Sequence, residues 1–276
     1  MEYIKALSVI NLLGISTIAI PLVFVFGAVI GSFLNVLIWR WPREEKLNGR
    51  SHCPNCNHKL VWYDLIPVLS YAVAKGVCRY CKQQISFRYP LIEILTGVLF
   101  VLAVLAFPLT SVFSSLLSLK AMVVIAVCVV VFMIDFEHYL ILDKVVFSSS
   151  IMIGLLLVAL GISDGSIKHL TYGILASISA STPFWLLWVI SKGRWMGLGD
   201  VKFIAFMGLA LGLSGILVSL FLAFGIGALV GIALILIGKK QFSSKLPFGT
   251  FLSLATVVTV LYGVRLWDLY WGIFVL

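Results

Sequence analysis

Long apolar runs separated by short polar connections dominate the chain, near positions 15–39, 89–107, 118–134, 144–162, 170–191, 203–214, 216–237 and 248–264. Most approach the length at which a helix crosses a bilayer, about 20 residues. They are continuous rather than alternating, which excludes a porin-like barrel, whose strands alternate apolar and polar positions. The pattern therefore predicts an all-α polytopic membrane protein with about eight transmembrane helices. The 203–214 run is short and contains Gly208 and Gly212, which suits a tilted or broken helix. The first run lacks a strongly basic preceding segment and continues past Phe33 without a clear cleavage site, so it reads as a retained span rather than a signal peptide.

Composition and charge add an orientation. The chain has 276 residues, of which 62% are hydrophobic and 11% charged, far outside soluble-globular usage. A net charge of +9 would suggest a nucleic-acid partner in a soluble protein. Here the excess follows the rule that Lys and Arg accumulate in cytoplasmic loops, and no nucleic-acid partner is expected. With the 40–88 loop inside, all but four of the twenty Lys and Arg fall on the cytoplasmic side, the exceptions being Lys5, Lys120, Lys168 and Arg265. Both termini then lie outside, and the loops carrying Asp135 and Asp200 are both cytoplasmic.

Residues 41–88 form the one sizeable water-facing segment, with Cys53-Pro-Asn-Cys56 and Cys78-Arg-Tyr-Cys81 separated by twenty-one residues. Two such pairs fit one tetrahedral metal site, each supplying two thiolates from a tight turn. The rival, a disulfide framework, needs an oxidising compartment, whereas the charge pattern places the loop in the reducing cytosol. So short a segment buries too little surface to fold unaided, which gives a structural zinc a reason to exist. Four thiolates close the coordination sphere and leave no position for a reacting water. His52 and His58 flank the first pair and are alternative ligands, although such loop positions more commonly just face water. Cys128, alone in a span, reads as packing. The expected organisation is a first transmembrane helix (1–40), a zinc-stapled loop (41–88) and a transmembrane bundle (89–276).

Polar groups at membrane depth mark the candidate chemistry. Gly31, Ser32 and Asn35 give the first span a small, polar face suited to close helix packing. Glu93 lies about one turn inside the second span, after Arg88-Tyr-Pro. It is either an interfacial carboxylate paired with Arg88 or a ligand-binding group. Asp135 ends one apolar run and Asp200 begins another, the latter within Met196-Gly-Leu-Gly-Asp-Val-Lys202. Glu137, His138 and Asp143 read as solvated loop or helix-end charges, and Asp143 as a cap for the next span. If Asp135 and Asp200 meet in a low dielectric, both cannot ionise readily and the pair shares a proton. One member then takes a proton from water while the other polarises a scissile carbonyl, as in aspartic proteases. Gly197 and Gly199 would let backbone pass close to a substrate strand or to a neighbouring helix.

Taken in order, Gly31-Ser-Phe-Leu-Asn-Val-Leu-Ile-Trp-Arg-Trp-Pro42, the two Cys pairs, Arg88-Tyr-Pro-Leu-Ile-Glu93, Ile134-Asp135, Gly197-Leu-Gly-Asp-Val-Lys202 and Pro247-Phe-Gly249 resemble the bacterial type IV prepilin peptidases. These are bifunctional leader peptidases and N-methyltransferases of type IV pilus, competence and type II secretion systems. The resemblance spans roughly residues 27–250. It implies cleavage of a basic leader after Gly at the cytoplasmic face of the inner membrane, then methylation of the new N-terminus from S-adenosylmethionine. The implied substrates are prepilins or pseudopilins. The family's catalytic aspartates fall on Asp135 and Asp200 and its zinc motif on Cys53, Cys56, Cys78 and Cys81, in the part associated with methyl transfer. Its Arg-Tyr-Pro-x-x-Glu element falls on Arg88 and Glu93, assigned to the methyl-transfer part as cofactor-binding positions. One departure is visible: the family's usual Pro-Asp reads Leu142-Asp143 here. The rival from another class is an ion or small-solute transporter with a structural zinc loop, which explains neither the Cys pairs nor the placement of both Asp at one face. The choice of substrate, the formation of a homo-oligomer and the Asp that carries the proton stay open at this level.

Overall fold

The computed structural model describes residues 19–238 and 246–274, with side chains up to position 269. Lys5 and the basic residues Lys239, Lys240 and Lys245 lie outside the described residues. The chain divides into two compact units, Met1–Leu109 and Thr110–Leu276.

In the first unit, α1 (Ala19–Arg40) continues into a 3-10 turn (Trp41–Arg43), a second 3-10 turn spans Trp62–Leu65, α2 is a single short turn (Leu69–Val73), and α3 is Arg88–Ala106. α1 and α3 pack against each other over glycine contacts. A Cβ on Gly27 would lie 2.8 Å from the Gly97 Cα, and one on Gly31 would lie 2.8 Å from the Glu93 Cα. Small residues at this spacing bring helix backbones together where no hydrophobic driving force separates protein from lipid. Asn35 completes the seam by donating to the Tyr89 carbonyl at 3.1 Å.

The second unit holds α4 (Val112–His138), α5 (Asp143–Asp164), α6 (Lys168–Ser191), α7 (Leu198–Leu236) and α8 (Phe248–Phe274). α4 packs on α5 and α8, α7 on α5, α6 and α8. The core runs through Ile125, Val131 and Ile134 of α4, Phe203 and Phe206 of α7 and Leu252 of α8, all almost fully buried. α4 starts at Ser111, whose hydroxyl accepts from the Ser114 N–H, and stops at Tyr139, which turns left-handed at φ 55° while its N–H returns to the Asp135 carbonyl. A serine cap and a left-handed stop satisfy the orphan groups at each helix end.

Among the described residues seven helices are long and apolar enough to cross a bilayer. The predicted runs 203–214 and 216–237 both fall within α7, whose 39 residues are interrupted at Gly212. Gly212, at φ 70° and ψ 179°, breaks it into two helical segments. That conformation is open to glycine and essentially closed to other residues. The expected bundle is therefore seven candidate spans, one of them kinked. No strands occur among the described residues, only two isolated bridges in the segment between α1 and α3.

Candidate active site and metal centre

The carboxylates singled out in the second unit come together at matching helix ends. Asp135 occupies the last turn of α4 and is only 5% exposed. Asp200 sits in the first turn of α7, behind the extended cap Gly197, where the helix dipole favours a negative group. The two are close enough for the charge of Asp135 to act on Asp200.

Asp135 is held by the start of α8. The Thr250 N–H donates to Oδ2 at 2.7 Å and the Thr250 hydroxyl donates to the same oxygen at 3.1 Å. Two donors on one oxygen fix the carboxylate about its last torsion. First-turn amides of a helix are available for this because they have no partner within the helix. Sequence reasoning stopped at Gly249 and did not single out Thr250. A Cβ on Gly249 would lie 3.0 Å from Asp135 Oδ2 and 2.7 Å from Ile141 Cδ1, so the glycine keeps the carboxylate seat open.

Ile141 ties the remaining pieces together. It is buried in the loop between α4 and α5, and a Cβ on Gly199 would lie 3.0 Å from its Cβ. One aliphatic side chain thus rests on a glycine from α7 and a glycine from α8. Gly199 lets the start of α7 approach the loop between α4 and α5. Asp143 is not a partner of Asp135: it opens α5, is exposed, and binds Lys202. Glu137 and His138, 3.9 Å apart, lie on the exposed end of α4.

In the first unit, the four expected cysteines converge. The thiol sulfurs of Cys53, Cys56, Cys78 and Cys81 all lie within 4.8 Å of one another, with Cys53 and Cys81 3.9 Å apart. A tetrahedral zinc with Zn–S bonds of about 2.3 Å needs sulfurs about 3.8 Å apart, so the four thiols fit the ion. Both pairs are folded the same way. Cys53 N–H donates to the His58 carbonyl and Asn57 N–H to the Cys53 carbonyl; Cys78 N–H donates to the Gln83 carbonyl and Lys82 N–H to the Cys78 carbonyl. Asn57 and Lys82 take positive φ of 54° and 62° at equivalent places. The amides of Cys81 and Tyr80 face the Cys78 sulfur and lower its thiol to about 7, which favours the thiolate a metal needs. His58 stacks on Tyr80 at 3.6 Å, and the metal-competent cluster consists of the four thiols without either histidine. Arg79 and Tyr80 both reach Asp64, at 3.3 and 3.1 Å, which ties the second pair to the 3-10 turn.

Glu93 is buried in α3, and its Oε2 accepts the Val68 N–H at 2.8 Å. This backbone amide of the loop is a contact with no local sequence signal, and the Ser32 side chain of α1 is a second hydrogen-bond partner. Arg88 begins α3 and lies over the Tyr89 ring, 5.2 Å from its centroid.

Comparison with known proteins bears on both units. The model described as the bacterial peptidase A24 N-terminal domain matches residues 25–107, and the model of the type IV leader peptidase family matches residues 122–232. A protein of Aeromonas salmonicida strain A449 called prepilin leader peptidase/N-methyltransferase is 33% identical, over 91% of this chain and 93% of its own. Proteins with the same description from Pseudomonas putida and Bacillus subtilis strain 168 are 29% and 30% identical over 88% of this chain. No solved structure matches the chain.

Proposed function

Because the chain belongs to the type IV leader peptidase family, we propose that it removes the basic leader of prepilins or pseudopilins and then methylates the new N-terminus. The observation that carries the peptidase half is the pairing of Asp135 and Asp200 at the ends of α4 and α7, with Thr250 fixing one carboxylate oxygen.

The two aspartates share one proton. The ionised member takes a proton from a water, and the resulting hydroxide adds to the carbonyl carbon on the leader side of the scissile bond. The protonated member donates to that carbonyl oxygen as negative charge develops there. As the tetrahedral intermediate collapses and the C–N bond breaks, the aspartate that took the water's proton passes it to the leaving amine, and the other recovers its proton from the intermediate's hydroxyl, which restores the shared-proton state. The Gly197–Gly199 backbone, free of side chains, gives an extended substrate room beside Asp200.

The first unit is assigned to methyl transfer, with Cys53, Cys56, Cys78 and Cys81 holding a structural zinc. Coordination by four thiolates closes the site, so the ion staples the loop rather than activating water. S-adenosylmethionine, when bound, supplies the methyl group. Arg88 and Glu93 contribute at the helix end beneath the loop, Glu93 by position, since its carboxylate holds the Val68 amide. The protein is placed in the bacterial inner membrane with the zinc loop and both aspartates on the cytoplasmic side, the orientation supported by the Lys and Arg distribution.

The test uses purified protein in detergent, a prepilin with a Gly-Phe junction and S-adenosylmethionine, read by mass spectrometry. A product cut after Gly, one methyl group heavier only when the donor is present, supports both halves. An uncut substrate with folded, zinc-loaded protein contradicts the peptidase reading.

A further inference from the structure

Part of the loop in the first unit packs against α1 and α3. Leu65, Pro67 and Ser51 line an open groove of about 240 Å³ together with Val29, Ser32, Phe33 and Val36 of α1. Phe33 lies seven residues before Arg40, which ends the helix, so this groove sits about 10 Å down the helix axis. Glu93, which accepts the Val68 N–H, lies five residues into α3, about 7.5 Å from its start, with its backbone against Gly31.

The chain reverses sharply at this point. Leu69 N–H donates to the Pro67 carbonyl at 2.6 Å across Val68, which adopts φ 65° and ψ −50°. This is the γ-turn of positive φ, a rare and strained form, made here by a β-branched residue that normally avoids positive φ. Away from water an unpaired amide costs several kcal/mol, roughly, so irregular backbone at membrane depth needs an internal acceptor. The buried Glu93 carboxylate supplies it, which gives the charged group inside α3 a physical reason to be there.

The same segment exposes large apolar side chains. Trp62, Leu65, Leu69 and Val73 are 76%, 41%, 62% and 69% exposed. On the spans that bracket it, Phe33 of α1 and Leu91 of α3 are also exposed. The zinc knuckles on either side carry polar residues instead, including His52, Asn55, Lys59, Arg79 and Lys82.

We propose that Trp62–Val73 is a re-entrant element, seated against α1 and α3 below the water-facing end of these helices, whose Trp62, Leu65, Leu69 and Val73 face meets lipid acyl chains. Glu93 anchors the turning point through the Val68 amide. The element tethers the zinc knuckles to the bilayer surface at a fixed height. This inference is independent of the catalytic reading, since it concerns where a segment lies.

The experiment reconstitutes the full chain in nanodiscs containing a phospholipid with a mid-chain diazirine, irradiates it, and maps lipid adducts by mass spectrometry. Adducts on Trp62, Leu69 and Val73 are expected at yields comparable with Phe33 and Leu91, and at least about tenfold above the knuckle peptides, because only membrane-embedded side chains meet acyl chains. Glu93→Ala should lower labelling of the element to the knuckle level, while Glu93→Gln, which keeps an oxygen acceptor, should retain it. Labelling of residues 62–73 no higher than the knuckles in the unaltered protein would overturn the proposal. So would unchanged labelling in Glu93→Ala. Covering of this face by a second copy, seen as a protein–protein crosslink without lipid adducts, would also overturn it.

Discussion

Lys202 holds Asp143 by both carboxylate oxygens, its ammonium 2.7 and 2.8 Å from them. Lys202 stands two residues after Asp200, and Asp143 opens the helix that follows Asp135. The ion pair therefore clips together the two backbone segments that carry Asp135 and Asp200. Both side chains are partly exposed, so solvent screening limits the pair to at most about 1 kcal/mol of stability. Its effect on geometry is larger. Lys202→Met should leave the melting transition nearly unchanged yet lower cleavage about tenfold, because misplaced catalytic groups lose rate steeply. Asp143→Asn should match it, and the double variant should be no worse than either single one. Additive losses would show that the two residues act separately.

Thr250 reaches Asp135 through both its amide and its hydroxyl. Thr250→Val keeps the shape and the amide and removes the hydroxyl. The expected result is a fall in kcat of about tenfold to a hundredfold with KM unchanged, since substrate binding is not touched. Thr250→Ser should restore most of the rate. Equal rates for Val and Thr would remove the hydroxyl from the account.

Gly249 is the tightest glycine at the site. An added Cβ would meet Ile141 at 2.7 Å and Asp135 at 3.0 Å, so something must move. Gly249→Ala should cost about 1–3 kcal/mol through overpacking. It should also abolish most cleavage while leaving zinc content intact. Adding Ile141→Ala removes one of the two clashes and should recover part of the stability but little of the activity. Full activity in Gly249→Ala would show that the seat is loose.

Zinc retention should depend on pH. The Cys78 thiol, lowered to about 7 by the amides of Cys81 and Tyr80, has a folded value below its ordinary one. The stabilisation it contributes is present above the ordinary thiol range and is lost as pH falls through about 7. Removal of zinc by a chelator, followed by metal content, should accelerate on acidification from pH 8 to pH 6, taken as about one unit either side of that value. Cys78→Ser should release the metal readily at both ends of that range. Release that ignores pH would contradict the thiolate assignment.

The sequence made the spans legible because lipid imposes one rule on every residue of a run, and composition alone reports it. It made the four cysteines legible because their spacing is local. Asp135 and Asp200 stood out because carboxylates beside long apolar runs are costly. Thr250 did not, for it binds a group 115 residues away and looks like any interfacial threonine. Ile141 was hidden as one more aliphatic side chain. Val68 was hidden for a stronger reason: its β-branched side chain argues against the positive φ that it adopts. Gly212 was noticed as a helix breaker, but the apolar run continues across it, so a kink inside one helix and a loop between two looked alike.

The measurement that tests the central claim most directly is cleavage of a prepilin with a Gly-Phe junction by intact protein, Asp135→Asn and Asp200→Asn, each zinc-loaded and folded. The asparagines keep size and polarity and remove only the ability to hold and move the shared proton. Product from the intact protein and none from either variant is the predicted result. Substantial cleavage by either variant would contradict the two-aspartate account.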